Sequence, residues 1–344
     1  MTEHFTRAAA LATTLLVLAA CNESPTEPVT AVPSSPHALA AATLPGSWST
    51  RADYPRDVFR PMSAAVTRDG RSTMYVIGGR PAIAAGPGRF TNVVFAYSAS
   101  ANTWRRVADF PIRAEGLNNA VEINGKIYVA GAMSRRWNPN TGTWVLQGTN
   151  TLYVYDPAAN TWTRKRDLPI IADFPMASTF NGRMYVAASC FTTCSAPPNG
   201  GLYRYNPATD QWVLLAPTPH DPQGAGGGFV GGKLYVVANA ATSTEHGPVD
   251  IYDPATGQWS SGPSVPVEGF CAVPSTTFQS RIYLIGCHGT QVLDAKAGAW
   301  TQAAPPPNGD NAAFGTVSRV FVNGQARLEL VGGARPGNNV RFTP

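Results

Sequence analysis

The sequence predicts an all-β protein built from a repeated sheet unit, and three observations predict it. The stretch Ile251–Trp259, IYDPATGQW, recurs: YVYDPAANTW ends at Trp162, YRYNPATDQW at Trp212, FAYSASANTW at Trp104, and a worn copy, VLDAKAGAW, at Trp300. Each copy is a short β-run, a tight turn of Asp, Asn, Pro or Gly, and a tryptophan that opens the next strand. A second unit recurs as well, an alternating strand closing on small residues: MYVIGG (74–79), IYVAGA (127–132), MYVAAS (184–189), LYVVAN (234–239), IYLIGC (282–287) and LELVGG (328–333). Finally, Gly and Pro supply 63 of the 344 residues while charged residues are only 14%, a turn-rich β composition rather than a helical one.

Taken in chain order, Met1–Ala20 is a short n-region with His4 and Arg7 followed by an apolar run from Ala8 to Ala20. That run is too short to span a bilayer and suits the h-region of a signal peptide. It ends Leu18-Ala19-Ala20-Cys21, which resembles a bacterial lipobox. The resemblance implies cleavage before Cys21, lipidation of that cysteine and anchoring by acyl chains. Asn22 follows, and the absence of Asp there implies the outer membrane, by resemblance to lipoprotein sorting in Gram-negative envelopes. Residues 21–44 are Pro-, Ser-, Thr- and Ala-rich without periodicity and read as a tether. Residues 45–344 are expected to form the folded domain.

Within that domain each unit reads as four strands. Strand a is small and apolar, as in Asn119–Ile123 or Ala177–Phe180; b is the YV(I/A)G run; c is the VYVYD run; d begins at Trp. Asn124-Gly125, Asn181-Gly182 and Gly231-Gly232 are two-residue hairpin signals between a and b. The tryptophans Trp48, Trp104, Trp162, Trp212, Trp259 and Trp300 lie 56, 58, 50, 47 and 41 residues apart. This spacing, the double glycines Gly78-Gly79 and Gly332-Gly333, the Tyr-Asp and the Trp resemble the kelch repeat, whose period is about 50 residues. The resemblance covers residues 45–344 and implies a six-bladed β-propeller, although the third and fourth copies lack the double glycine. The chain ends on a c-like run, Asn338–Phe342, with no d strand after it. The strand around Trp48 is therefore expected to complete the C-terminal blade and close the ring, leaving no open sheet edge.

In a propeller the d-to-a connectors and the b-to-c loops share one face. Each d-to-a connector carries an acid: Asp57, Glu115, Asp173, Asp221, Glu268 and Asp310. A crown of carboxylates could bind a cation, a sugar's hydroxyls or an amine; alternatively each acid accepts backbone N–H bonds or pairs with a neighbouring arginine. Arg56 and Arg60, Arg113 and His220 accompany them. Among the b-to-c loops Ala132–Asn150 is the longest and carries Arg135, Arg136, Trp137 and Trp144. Stacking and bidentate bonding are both available there, which suits a carbohydrate or peptide. Equally, WNPNTGTW mimics the repeat's own turn and reads as an extra hairpin whose tryptophans pack on their blade.

His220, His246 and His288 fall on loops of that face without close spacing, so no metal or other cofactor is expected. Four cysteines besides Cys21 are consistent with export. Cys190 and Cys194 flank a short loop; Cys271 and Cys287 could bridge strands a and b of the fifth unit if a bulge puts them on one face. The connectivity stays open. Serine nucleophile elbows, phosphate-binding loops, HExxH and the Asp-box are absent, and the tyrosine–cysteine set of copper oxidases is not matched. The net charge of +5 is uneven: residues 48–172 hold 16 Lys and Arg against 8 Asp and Glu, and residues 173–344 hold 9 against 10. A basic excess favours anionic partners or is simply a solvated surface.

The expected function is therefore an envelope-anchored binding or scaffold module for a glycan or protein, touching the membrane through its lipid only and not binding nucleic acid. An enzyme resembling periplasmic kelch sugar epimerases (sialate mutarotases) is the alternative, with Glu115, Glu268 and Arg113 as catalytic candidates.

Overall fold

A computed structural model describes residues 43–81, 90–190, 200–269, 274–286, 288–307, 309, 314–333 and 338–344. No α-helix lies among them. The chain forms antiparallel sheets in series, as in a β-propeller, each built in the strand order a-b-c-d. Sheet 1 is Met62–Arg68, Arg71–Ile77, Val94–Ser98 and Thr103–Val107. Sheet 2 is Ala120–Ile123, Lys126–Ala130, Leu152–Asp156 and Thr161–Lys165. Sheet 3 is Met176–Phe180, Arg183–Ala188, Gly201–Asn206 and Gln211–Pro217. Sheet 4 is Gly226–Val230, Lys233–Val237, Val249–Asp253 and Gln258–Ser261. Sheet 5 is Ser275–Phe278, Arg281–Gly286, Gly289–Asp294 and Ala299–Ala303. Sheet 6 is Gly315–Val322, Gln325–Gly332 and Asn339–Thr343, with Ser47–Thr50 as its outer strand. There Trp48 lies opposite Phe342, the pairing expected between the N-terminal strand and the C-terminal sheet. Thr43–Leu44 adds a parallel strand to sheet 5, opposite Gln302 and Ala303, so pairing begins two residues before the expected boundary at 45.

The a–b turns follow from their residues. Asn124-Gly125, Asn181-Gly182, Gly231-Gly232, Asp69-Gly70 and Asn323-Gly324 all have both residues at positive φ, the type I′ geometry that matches strand twist. Sheet 5 makes the same turn with Gln279 (φ 50°) and Ser280 (φ 61°), a more strained choice. The b strands are buried almost throughout, and the cores lie between neighbouring sheets. Each innermost strand packs on that of the next sheet, and Gly315–Val322 packs on Met62–Arg68.

The repeated tryptophans join one sheet to the one before. Trp104, Trp162, Trp212, Trp300 and Trp48 donate Nε1–H to the carbonyls of Ala52, Ala108, Arg166, Pro263 and Ala304, each just past the preceding d strand. Trp259 is the exception; its Nε1 is buried without a hydrogen-bond partner among the described residues. In sheets 1–3 a second tie accompanies the tryptophan. Asn102, Asn160 and Asp210 sit at φ 56°, 53° and 54° in the c–d turn. Each accepts the hydroxyl of its own sheet's Tyr97, Tyr155 or Tyr205 at 2.6–2.7 Å. The same oxygen accepts the backbone N–H of Ala52, Ala108 or Arg166 at 2.9 Å. One side chain thus fastens a turn to its own core and to the adjacent connector.

Candidate functional site

The face carrying the d-to-a connectors is uneven, and sheet 2 makes it so. Its b-to-c connection rises as an extra hairpin, Met133–Asn138 paired with Thr143–Gly148, whose root pairs back onto Ala114–Glu115. Asn138 Oδ1 accepts the N–H of Asn140, and Gly142 supplies a positive φ at the tip. Gly148 is required at the root, because a Cβ there would run into the Asp173 carboxylate and the Ala172 carbonyl. Strand alternation puts Met133, Arg135 and Trp137 on the same side as Leu146 and Trp144. Trp137 and Trp144 are directly opposite one another, with ring centroids 5.7 Å apart. They remain 47% and 56% exposed, and Leu146 is 60% exposed. The two rings pack on each other rather than into their sheet, which resolves the alternatives left by the sequence: WNPNTGTW is an extra hairpin, and its tryptophans face solvent.

At the root of this hairpin lies an arginine cluster. Glu115 is 3% exposed and carries two ion pairs, Arg80 Nε to Oε2 at 2.8 Å and Arg60 Nη1 to Oε1 at 3.5 Å. The Arg80 N–H is not aimed along the short contact, so it makes an ion pair without a hydrogen bond. The Arg60 guanidinium sits 4.9 Å from the ring centres of Phe174 and Phe314 and 5.3 Å from Phe59. Arg80 lies 4.9 Å from Phe59, Arg135 lies 6.0 Å from Phe90, and Arg113 Nη1 donates to the Phe90 carbonyl. Three connector residues here, Arg60, Phe174 and Phe314, have φ of 51°, 48° and 63°. Backbone strain of this kind concentrates where a structure fixes a functional group. Burial holds the Arg60 guanidinium below its ordinary value, Glu115 opposing and Arg80 reinforcing the shift. Burial likewise pushes the Glu115 carboxyl up, against the pull of Arg80, Arg60 and Arg135.

The other connector acids go separate ways. Asp57 has one buried carboxylate oxygen without a hydrogen-bond partner among the described residues. Asp173 is buried against the hairpin root. Asp221 accepts the Ser189 hydroxyl and the N–H of Gln223. Glu268 forms a backbone bridge to His246, and Asp310 lies outside the described residues. No three acids, histidines or cysteines approach closely enough to hold a metal ion among the described residues. Of these acids, Glu115 pairs with two arginines, and Asp221 is held by Ser189 and by Gln223 of its own connector. Regular spacing along the chain fixes which connector an acid occupies, not where its side chain points.

The mouth of the axis is crossed by Asn118. Its Nδ2 donates to Ala225 O and its Oδ1 accepts Ser275 N–H, while its main-chain carbonyl accepts Ala177 N–H, so one residue of sheet 2's connector reaches sheets 3, 4 and 5. Beneath it the innermost strands line a polar channel of about 210 Å³ that includes Ser63, Thr179, Gly228 and Thr277. His220 is half exposed and Nδ1 lies 3.0 Å from buried Asp250, a pairing the sequence did not suggest. Burial raises the Asp250 carboxyl, and His220 opposes that. Cys190 is disulfide-bonded; Cys194, Cys271, Cys287 and Cys21 lie outside the described residues. Sequence reasoning also missed Arg80, Phe174 and Phe314.

With the repeat geometry established, comparison with known proteins gives the class. Residues 64–111 match the kelch motif family. The chain is 28% identical over 217 residues to a putative F-box/kelch-repeat protein of Arabidopsis thaliana, covering 61% of this chain and 60% of that one. It is 26% identical over 296 residues to the kelch-like protein terF of Aspergillus terreus, covering 77% and 61%. Kelch-like protein 25 of Xenopus tropicalis matches at 26% over 201 residues, covering 56% and 31%. The chain thus spans from about a third to three fifths of the length of these relatives. The solved structure of YjhT superposes with a TM-score of 0.63 at 16% identity, covering 86% of this chain and 96% of that one. The chain thus carries a kelch motif, is similar to kelch-repeat proteins, and has the fold of a kelch β-propeller. Kelch-repeat proteins in general mediate protein–protein interactions.

Proposed function

We propose that this chain is an envelope-anchored, six-bladed kelch propeller that binds a protein partner through the hairpin 133–148 and the arginines at its root. The six sheets are its blades, and the ring is closed where Ser47–Thr50 pairs with Asn339–Thr343 and where the innermost strands of sheets 6 and 1 meet. One observation carries the functional reading. Trp137, Trp144 and Leu146 stand exposed on one side of a hairpin that the repeat does not need, beside Arg135 and Arg136. Tryptophan and arginine are the residues that dominate binding energy at protein interfaces. Large apolar side chains grouped in solvent mark interaction surfaces rather than ordinary exterior. The test replaces Trp137 and Trp144 together by serine and compares retained proteins with those of the parent chain by quantitative mass spectrometry. A partner retained by the parent must rebind in purified form and fail to bind the variant. Equal retention by both chains contradicts the reading, and loss of a glycan rather than a protein would change the partner class.

The anchoring half of the proposal rests on Leu18-Ala19-Ala20-Cys21. Changing Cys21 to serine is expected to release the protein from membranes of a bacterial host expressing it; retention in the outer-membrane fraction contradicts it. A second reading, a sugar epimerase of the mutarotase type, is favoured by a different residue pair from the one the sequence suggested. Glu115 is held by Arg60 and Arg80, whereas His220 is half exposed and its Nδ1 is positioned by buried Asp250, a geometry suited to general acid–base work. Sugar anomer exchange followed by NMR tests it: the reading requires catalysis by the parent chain and its loss in His220→Gln.

A further inference from the structure

We propose that Arg60, Arg80 and Arg135 form a binding site for the carboxylate of an organic acid whose apolar body rests on the surrounding phenylalanines. The proposal does not depend on the hairpin holding a protein. It begins with charge. Arg60, Arg80 and Arg135 act on one carboxylate, Glu115, and within this group two positive charges are left over. Glu115 does not satisfy them geometrically either: the Arg60 contact is long at 3.5 Å, and the Arg80 contact, though 2.8 Å, is off line. The Nε atoms of Arg60, Arg80 and Arg135 are all buried without a hydrogen-bond partner among the described residues. Buried donors in this condition are costly, and a bound acceptor removes the cost.

The rings decide which anion. Phe59, Phe174 and Phe314 pack around the Arg60 guanidinium, Phe59 also touches Arg80, and Phe90 flanks Arg135. Stacked guanidinium groups keep their planar edges available, and such edges match the two oxygens of a carboxylate. The phenyl walls favour an acid with an apolar body over a fully hydrated inorganic phosphate. Access is from the Arg80 side, where the side chain is 36% exposed against 13% for Arg60. The strained backbone at Arg60, Phe174 and Phe314 holds guanidinium and rings in this arrangement before any ligand arrives, which lowers the cost of binding.

Isothermal titration of the full chain with phenylacetate, phenylacetamide and inorganic phosphate tests the site. Phenylacetate is expected to bind, with the amide and phosphate each weaker by about ten-fold or more. Arg135→Gln is expected to weaken phenylacetate by about ten-fold with unchanged thermal unfolding, because its side chain is partly exposed and makes no ion pair among the described residues; Arg80→Gln is expected to weaken it as much while lowering the unfolding temperature, because buried Glu115 loses a partner. Glu115→Gln removes the resident competitor and is expected to tighten binding; a merely structural role for the cluster would produce the opposite sign or no change. A capped peptide with a single glutamate distinguishes a protein carboxylate from a free acid as the source. Equal binding of acid and amide, absence of binding by both phenylacetate and the peptide, or full affinity in folded Arg135→Gln overturns the proposal.

Discussion

Sheets 1–3 and sheets 4–5 are copies of one unit, yet they are fastened differently. In sheets 1–3 the residue before the Thr-Trp or Gln-Trp pair is Asn102, Asn160 or Asp210, and its side chain ties the local tyrosine to the neighbouring connector. In sheets 4 and 5 that position is Gly257 or Gly298, with φ 72° and 62°. Glycine meets the backbone requirement without strain but supplies no oxygen. Sheet 5 has also exchanged the tyrosine for Leu293 and its Asn-Gly turn for Gln279-Ser280. The exposed hairpin and the arginine cluster stand on the better-fastened side, rooted in sheets 1 and 2. The ties therefore lie in the sheets from which the hairpin projects.

That contrast can be broken experimentally. The largest effect is expected for Trp162→Ala in sheet 2, where the indole contacts Phe110 and Tyr155 at centroid distances of 4.9 and 5.0 Å and bonds Ala108. A loss of about 3 kcal/mol in urea unfolding is expected. Trp300→Ala in sheet 5, which has no such ring contact among the described residues, should cost about 1 kcal/mol less. Next, Asn160→Gly keeps the turn but leaves the Tyr155 hydroxyl and Ala108 N–H without their acceptor, a loss of about 2 kcal/mol. The reverse change sharpens the comparison. Gly257→Asn places a side chain with its Cβ 3.9 Å from the Tyr252 hydroxyl and should stabilise by about 1 kcal/mol. Gly298→Asn, which has no atom within 4 Å of its Cβ, should leave stability unchanged. Ser280→Gly should relieve strain in sheet 5's hairpin by about 1 kcal/mol. Finding the same effect of Asn at 257 and 298 would dissolve the distinction.

The smallest effect concerns pH. Asp156, Asp253 and Asp294 cap their turns, and their carboxyls lie below the ordinary value of 3.8. For Asp156 the Lys126 ammonium is the main cause, followed by the Ala158 N–H; for Asp253 and Asp294 it is the backbone N–H of Ala255 and Ala297. A carboxyl depressed on folding stabilises above its unfolded value and loses that contribution as pH falls through the folded one. The urea midpoint should therefore drop below pH 3.8, and Asp156→Asn should flatten that drop.

The sequence made the fold readable because the repeat's signals are local. A tryptophan after a YDP turn and a two-residue Asn-Gly hairpin are each set by neighbours in the chain, and they recur in register. Even the Trp48 strand could be assigned, from the missing d strand after Phe342. The site was less readable because its contacts are not local. Arg60 and Glu115 are 55 residues apart and meet only because two connectors converge. Phe174 and Phe314 come from opposite parts of the chain to flank the same guanidinium. The periodic acids suggested a carboxylate crown, while the arginines that take up Glu115 follow no period. Hairpin 133–148 was visible as WNPNTGTW, but exposure of its tryptophans depends on their packing against each other instead of against sheet 2.

The central claim is that the hairpin face is where a partner protein binds. Photo-crosslinking in intact cells tests it directly, with benzoylphenylalanine placed at Trp137 and, as a control, at Val213, an equally exposed position on the outer strand of sheet 3. A discrete crosslinked protein at position 137 that is absent at 213 and abolished by Trp144→Ser is the expected result. The same products at both positions, or none at 137, would contradict it.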